Sequence, residues 1–195
     1  MKNSASVFRL DYTPPTYLVD SVEVAFDLDT KMTLVSTRTV LRRNSLSSDS
    51  TLQLLGEQLE LVSLRMNGAR LKANQDYLLD TAQLRILNAP TNVTLEIVTR
   101  IHPAKNTSLM GVYVSNGNFF SQCEAQGFRK ITYFPDRPDV MAKYTVMLRA
   151  DKAQYPVLLS NGNLIEQGDL GDGRHYALWQ DPFKKPSYLF ALVAG

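Results

Sequence analysis

Gln122 and Glu124 stand two residues apart in the segment Ser121-Gln122-Cys123-Glu124-Ala125-Gln126-Gly127-Phe128-Arg129. On an extended strand that spacing puts both side chains on one face and Cys123 on the other. A carboxylate beside a neutral amide is a receptor for an ammonium group: the carboxylate supplies charge and the amide oxygen a second acceptor. A solvated polar strand face has the same pattern, and the residue types alone leave both readings open.

Other chemistries find less support. His102 and His175 are the only histidines, Cys123 is the only cysteine, and no H-E-x-x-H or C-x-x-C spacing occurs. No metal ligands and no catalytic residues are therefore expected in this chain. It contains no G-x-S-x-G elbow, and no glycine-rich phosphate loop leads into a helix. Asn92-Val93-Thr94 and Asn106-Thr107-Ser108 fit the glycosylation triplet, but nothing else in the sequence reads as secretory.

The elements that must carry Gln122 and Glu124 show a period of two. Val22, Val24, Phe26 and Leu28 alternate with Glu23, Ala25 and Asp27, the mark of a half-buried strand. Met32, Leu34 and Val40 continue the theme beyond a turn at Asp29-Thr30-Lys31. Short strands follow around Leu52 and Leu54, Leu59 to Leu64, Tyr77 to Leu79, Leu84 to Leu87 and Val93 to Ile101. Asn67-Gly68, Ser115-Asn116-Gly117, Ser160-Asn161-Gly162-Asn163 and Gly171-Asp172-Gly173 are turn signals, because Asn and Gly tolerate positive φ. Phe119 to Ala125, Tyr144 to Ala150, Leu164 to Gln167, Tyr176 to Gln180 and Tyr188 to Val193 are the remaining strand candidates. One short helix is predicted over Pro138 to Lys143, with Asp136 as its cap. The pattern predicts an all-β fold, a β-sandwich or several sheets in one domain, with at most one short helix.

Composition agrees. In 195 residues, 44% are apolar and 21% charged, enough for a real core. A net charge of +2 argues against nucleic acid or an acidic membrane as partner. A lone cysteine fits a reducing cytoplasm. The polar start, Met1 to Ser6, lacks the apolar region of a signal peptide. The run Phe190-Ala191-Leu192-Val193-Ala194-Gly195 ends the chain where a polar, frayed tail is usual. The expectation is that the polypeptide continues into a further domain.

Gln122-x-Glu124, Arg129, Asp136-x-Pro138 and Ala142-x-Tyr144 together resemble the aminopeptidase N family of zinc metallopeptidases. Asp11-Tyr12, Pro15, Tyr17, Phe26-Asp27-Leu28, Leu159-Ser160-Asn161-Gly162, Trp179-Gln180-Asp181-Pro182-Phe183 and Pro186 to Gly195 extend the resemblance over nearly the whole chain, with a bacterial flavour. It departs at Tyr133, where many relatives carry proline. The resemblance implies that residues 1–195 form a saddle-like amino-terminal β domain packed against a thermolysin-like catalytic domain. Zinc, its ligands and the glutamate base of that domain lie outside this chain, so this chain alone is inactive. It further implies that Glu124 binds the substrate's free α-amino group and that Gln122 shapes the first side-chain pocket. The partners implied are a peptide amino terminus and the protein's own catalytic domain, in the cytoplasm. The competing expectations are a free-standing carbohydrate- or protein-binding module, and a related epoxide hydrolase-type enzyme that keeps the Gln-x-Glu pair.

Overall fold

The computed structural model describes residues 8–195. The polar start Met1 to Ser6 lies outside the described residues. Alternation of apolar and polar side chains produces fifteen strands among these residues: β1 (Tyr17–Asp27), β2 (Thr33–Arg43), β3 (Leu52–Leu55), β4 (Glu60–Met66), β5 (Ala69–Arg70), β6 (Tyr77–Leu79), β7 (Gln83–Ile86), β8 (Asn92–Ile101), β9 (Gly111–Ser115), β10 (Asn118–Gln122), β11 (Met141–Asp151), β12 (Leu158–Ser160), β13 (Asn163–Asp169), β14 (Arg174–Pro186) and β15 (Leu192–Ala194). They form an eight-stranded sheet in the order β13-β14-β11-β1-β2-β8-β4-β5, a four-stranded sheet β12-β15-β10-β9 and a three-stranded sheet β3-β7-β6. The fold is all-β and multi-sheet, as the alternation implied. The only helical elements among the described residues are four three-residue 3-10 turns.

The short helix expected over Pro138 to Lys143 does not form. Pro138 and Asp139 make a turn, closed by the Val140 amide on the Arg137 carbonyl at 3.2 Å. Met141 already belongs to β11, whose residues Ala142, Tyr144, Val146, Leu148 and Ala150 are buried in strict alternation. That period, with β1 parallel on one side and β14 antiparallel on the other, overrides the local helix signal.

The phase of β2 also differs from expectation. Met32, Leu34 and Val40 are not the buried set; Thr33, Val35, Thr37, Thr39 and Leu41 point inward. Buried hydroxyls are tolerated because they are bonded. Thr37 Oγ1 lies 3.3 Å from both the Ile97 carbonyl and Thr132 Oγ1. From β8, Thr99 Oγ1 donates to the Ile131 carbonyl at 2.9 Å. These bonds hold the segment 128–136 across the inner face of the large sheet. Asn161-Gly162, expected to close a local turn, joins β12 in one sheet to β13 in another.

Apolar packing completes the attachment. Val22, Val24 and Phe26 of β1 and Tyr144, Val146 and Leu148 of β11 form the floor of the core. Phe128 stands on it, with ring centroids 5.0 Å from Phe134, 5.2 Å from Phe190 and 5.9 Å from Tyr144. All three contacts are edge-on, the geometry aromatic quadrupoles favour. Removing a fully buried ring leaves a cavity as well as lost burial. Phe128→Ala is therefore expected to destabilise the domain by about 3–5 kcal/mol, read as a lower denaturant midpoint; an unmoved midpoint would contradict the packing role.

Candidate functional site

β10 is an inner strand of the four-stranded sheet. β9 pairs along it from Asn118 to Gln122, with Gln122 opposite Gly111, and β15 pairs at Phe119 and Phe120. The strand stops at Gln122. Cys123 turns inward and is buried, and Glu124 to Gly127 form a turn closed by the Gly127 amide on the Cys123 carbonyl at 2.8 Å. Glu124 is therefore not on a strand beside Gln122, as the alternation suggested. Gln122 and Glu124 are nevertheless both exposed, and Cys123 is buried.

The contact between the two residues also differs from the expected pair of side-chain acceptors. Gln122 Nε2 donates to the backbone carbonyl of Glu124 at 3.3 Å. This bond braces the turn and leaves the Gln122 amide oxygen as an acceptor. The Glu124–Ala125 peptide bond is cis.

The electrostatics leave the Glu124 carboxylate available. Two cations follow it closely in the chain, and each is tied elsewhere. Arg129 Nε lies 2.9 Å from Asp136 Oδ2, and Lys130 Nζ lies 2.9 Å from both Glu57 Oε1 and Gln58 Oε1. None of the ion pairs among the described residues uses Glu124. An exposed carboxylate that pairs with no cation among the described residues can accept hydrogen bonds from an external ammonium group.

The turn is packed tightly from below. A Cβ at Gly127 would lie 2.3 Å from the Gln122 carbonyl oxygen and 2.7 Å from the Cys123 Cα, so the close approach requires glycine. Gly111, opposite Gln122, has φ +77, also a glycine conformation. Neither Gln122 nor Glu124 borders any of five surface pockets elsewhere on the domain.

The other candidates have plain roles. His102 Nδ1 and His175 Nε2 each meet one backbone carbonyl, of Lys31 and of Tyr155, both at 2.7 Å. Among the described residues no three His, Cys, Asp or Glu side chains gather as a metal ion would require. The described residues thus do not fit a zinc site. Asn106 Nδ2 is spent on the carbonyls of Met110 and Val112, at 2.7 and 2.9 Å.

The model of the peptidase M1 N-terminal domain matches residues 21–189. The chain belongs to that family. Aminopeptidase N of Escherichia coli (strain K12) is 47% identical over 188 residues, which are 96% of this chain and 21% of that protein. Aminopeptidase A of Legionella pneumophila, solved in complex with aspartic acid, superposes with a TM-score of 0.91 at 40% identity, over 95% of this chain and 22% of that one. An M1 zinc metallopeptidase from Deinococcus radiodurans shares the fold, with a TM-score of 0.78 at 14% identity over 93% of this chain and 42% of its own. The M1 domain described here thus spans about a fifth of the length of the curated relatives it matches.

Within this M1 domain Asp136, expected as a helix cap, instead pairs with Arg129, and sequence reasoning missed the third member of the group, Ser187, whose hydroxyl donates to Asp136 Oδ1 at 2.5 Å. A serine 51 positions away carries no local signal. The departure at Tyr133 also has a local explanation: its ring occupies the space a side chain at residue 56 would need, and that residue is Gly56.

Burial pushes the Cys123 thiol well above its ordinary range, with the Asp136 charge adding to the effect. A protonated, buried thiol is unreactive. A disulfide reagent at neutral pH should leave the folded chain unmodified and titrate the thiol only after denaturation. Rapid labelling of the native state would contradict the packing assigned to Cys123.

Proposed function

We propose that this chain is the amino-terminal domain of a zinc aminopeptidase that releases single residues from peptide amino termini, and that Glu124 and Gln122 anchor the substrate's α-amino group. The observation that carries this reading is the exposed Glu124 carboxylate, held on a turn braced by Gln122 and paired with no cation among the described residues. The family assignment and the 47% identity to an aminopeptidase N support it. On this reading zinc and the hydrolytic groups belong to a catalytic domain outside this chain. That domain supplies the second wall of the cleft, and this domain alone does not hydrolyse peptides. A cytoplasmic setting goes with the reading, since a lone buried thiol is ordinary there. Among the described residues no helix is long and apolar enough to cross a membrane.

The division of labour is physical. An anion fixed at a set distance from the scissile bond selects substrates whose positive amino end lies one residue away. Such positioning lowers the barrier by making a near-attack geometry the bound one. Once the cleft closes, the ammonium–carboxylate pair is desolvated, and truncating one partner of such a pair costs about 2–5 kcal/mol. In the full-length protein, Glu124→Gln and Glu124→Ala should therefore lower kcat/KM for free-amine peptides roughly 30-fold or more, with the zinc content unchanged. Near-normal turnover by either variant would exclude the anchoring role.

A further inference from the structure

The turn that carries Glu124 is fastened at both ends to one short stretch of chain, residues 187–194. On the entry side, β10 pairs with β15, and the Leu192 amide donates to Ser121 Oγ at 2.7 Å. On the exit side, the turn runs into the 3-10 turn Phe128–Lys130. There Asp136 Oδ2 accepts from the Arg129 amide at 3.2 Å and from Arg129 Nε at 2.9 Å, while Arg129 Nη2 donates to the Asp136 carbonyl at 2.9 Å. The other carboxylate oxygen, Oδ1, accepts from Ser187 Oγ. The Asp136 side chain is 1% exposed and that of Arg129 16%.

We infer that Asp136 is a positioning residue for Glu124: with Arg129 and Ser187 it forms a clasp that fixes the exit of the anchoring turn relative to its entry. The inference rests on the reading of Glu124 as the amino-group anchor. Its physical basis is closure of a ring. Ser187 and Leu192 lie in the same stretch, so Asp136 links the far end of the turn to the stretch that already grips the near end. With the ring intact, the Glu124 turn has no independent hinge motion against the sheet. With the ring opened, the exit side keeps its apolar contacts through Phe128 and its backbone bond from the Glu57 amide, but loses the directional bonds that tie it to residues 187–194.

Buried carboxylates also stabilise folds, so the test separates position from stability by a double-mutant cycle. In the full-length protein, Asp136→Asn keeps the shape of the side chain and removes its charge. Ser187→Ala removes a single hydrogen bond and serves where Asp136→Asn does not fold. Each is measured alone and together with Glu124→Gln, with kcat/KM for an aminoacyl anilide as readout. A misplacement on the order of 1 Å can cost roughly 100-fold in rate. The expected result is a loss of about tenfold or more in the wild-type background and less than about twofold in the Glu124→Gln background. Equal fold-losses in the two backgrounds would overturn the inference and leave Asp136 a stabilising residue. If Glu124→Gln alone has no effect, the anchor reading fails first, and the cycle shows this in its first arm. Hydrogen exchange gives a second readout: the amides of residues 123–131 should exchange faster in either variant while those of β1 and β11 stay protected. Uniform acceleration over all these elements would also overturn the inference.

Discussion

The segment 128–136 is the one piece of chain on which all three sheets depend. It is irregular backbone, and irregular backbone laid across a core must find partners for every amide and carbonyl it brings with it. The large sheet supplies Thr99 for the Ile131 carbonyl and Thr37 for the Thr132 hydroxyl. The three-stranded sheet supplies Leu55, which exchanges both backbone bonds with Phe134 at 2.8 and 3.0 Å. The loop after β3 takes the Arg129 carbonyl through the Glu57 amide at 2.9 Å. The 3-10 turn between β14 of the large sheet and β15 of the four-stranded sheet is reached through Asp136 and Ser187. Phe128 fills the space between these fastenings with an aromatic ring that touches Phe134, Tyr144 and Phe190.

This arrangement explains how a small domain presents an exposed carboxylate at a defined place. Among the described residues the Glu124 side chain makes no ion pair. Its backbone is placed by β10 before it and by the fastened segment after it. The nearby cations are removed from competition by Asp136 and Glu57. On the proposed reading, a carboxylate prepared in this way is open to a partner that arrives from outside the domain. An unpaired Arg129 or Lys130 would compete for that charge.

What was legible in the sequence follows from the range of each interaction. Local signals translated directly: the turns at Asn67-Gly68, Asn116-Gly117 and Gly171 to Gly173 close β4–β5, β9–β10 and β13–β14, because the Asn-Gly and Gly-rich dipeptides supply the positive φ these hairpins need. The alternation of β1 and β11 was equally visible. The phase of β2 was not, since its inward face carries three threonines and its outward face Leu34 and Val40. Hydropathy ranks those faces wrongly when the polar groups are bonded inside. The turn at Glu124 was read as continued strand because Gln122, Cys123 and Glu124 keep an exposed–buried–exposed rhythm after the pairing with β9 has ended. The parallel pairing of β1 with β11 and the bond from Ser187 to Asp136 join distant parts of the chain, and no local pattern encodes them.

The central claim is that Glu124 receives the substrate's amino end. A crystal structure of the full-length protein with a free-amine ligand, such as a single amino acid, tests it most directly. The account predicts the ligand's ammonium nitrogen about 2.7–3.2 Å from a Glu124 carboxylate oxygen, with the Gln122 amide oxygen in the same shell. A ligand whose ammonium group is held by other side chains while Glu124 faces solvent would contradict it.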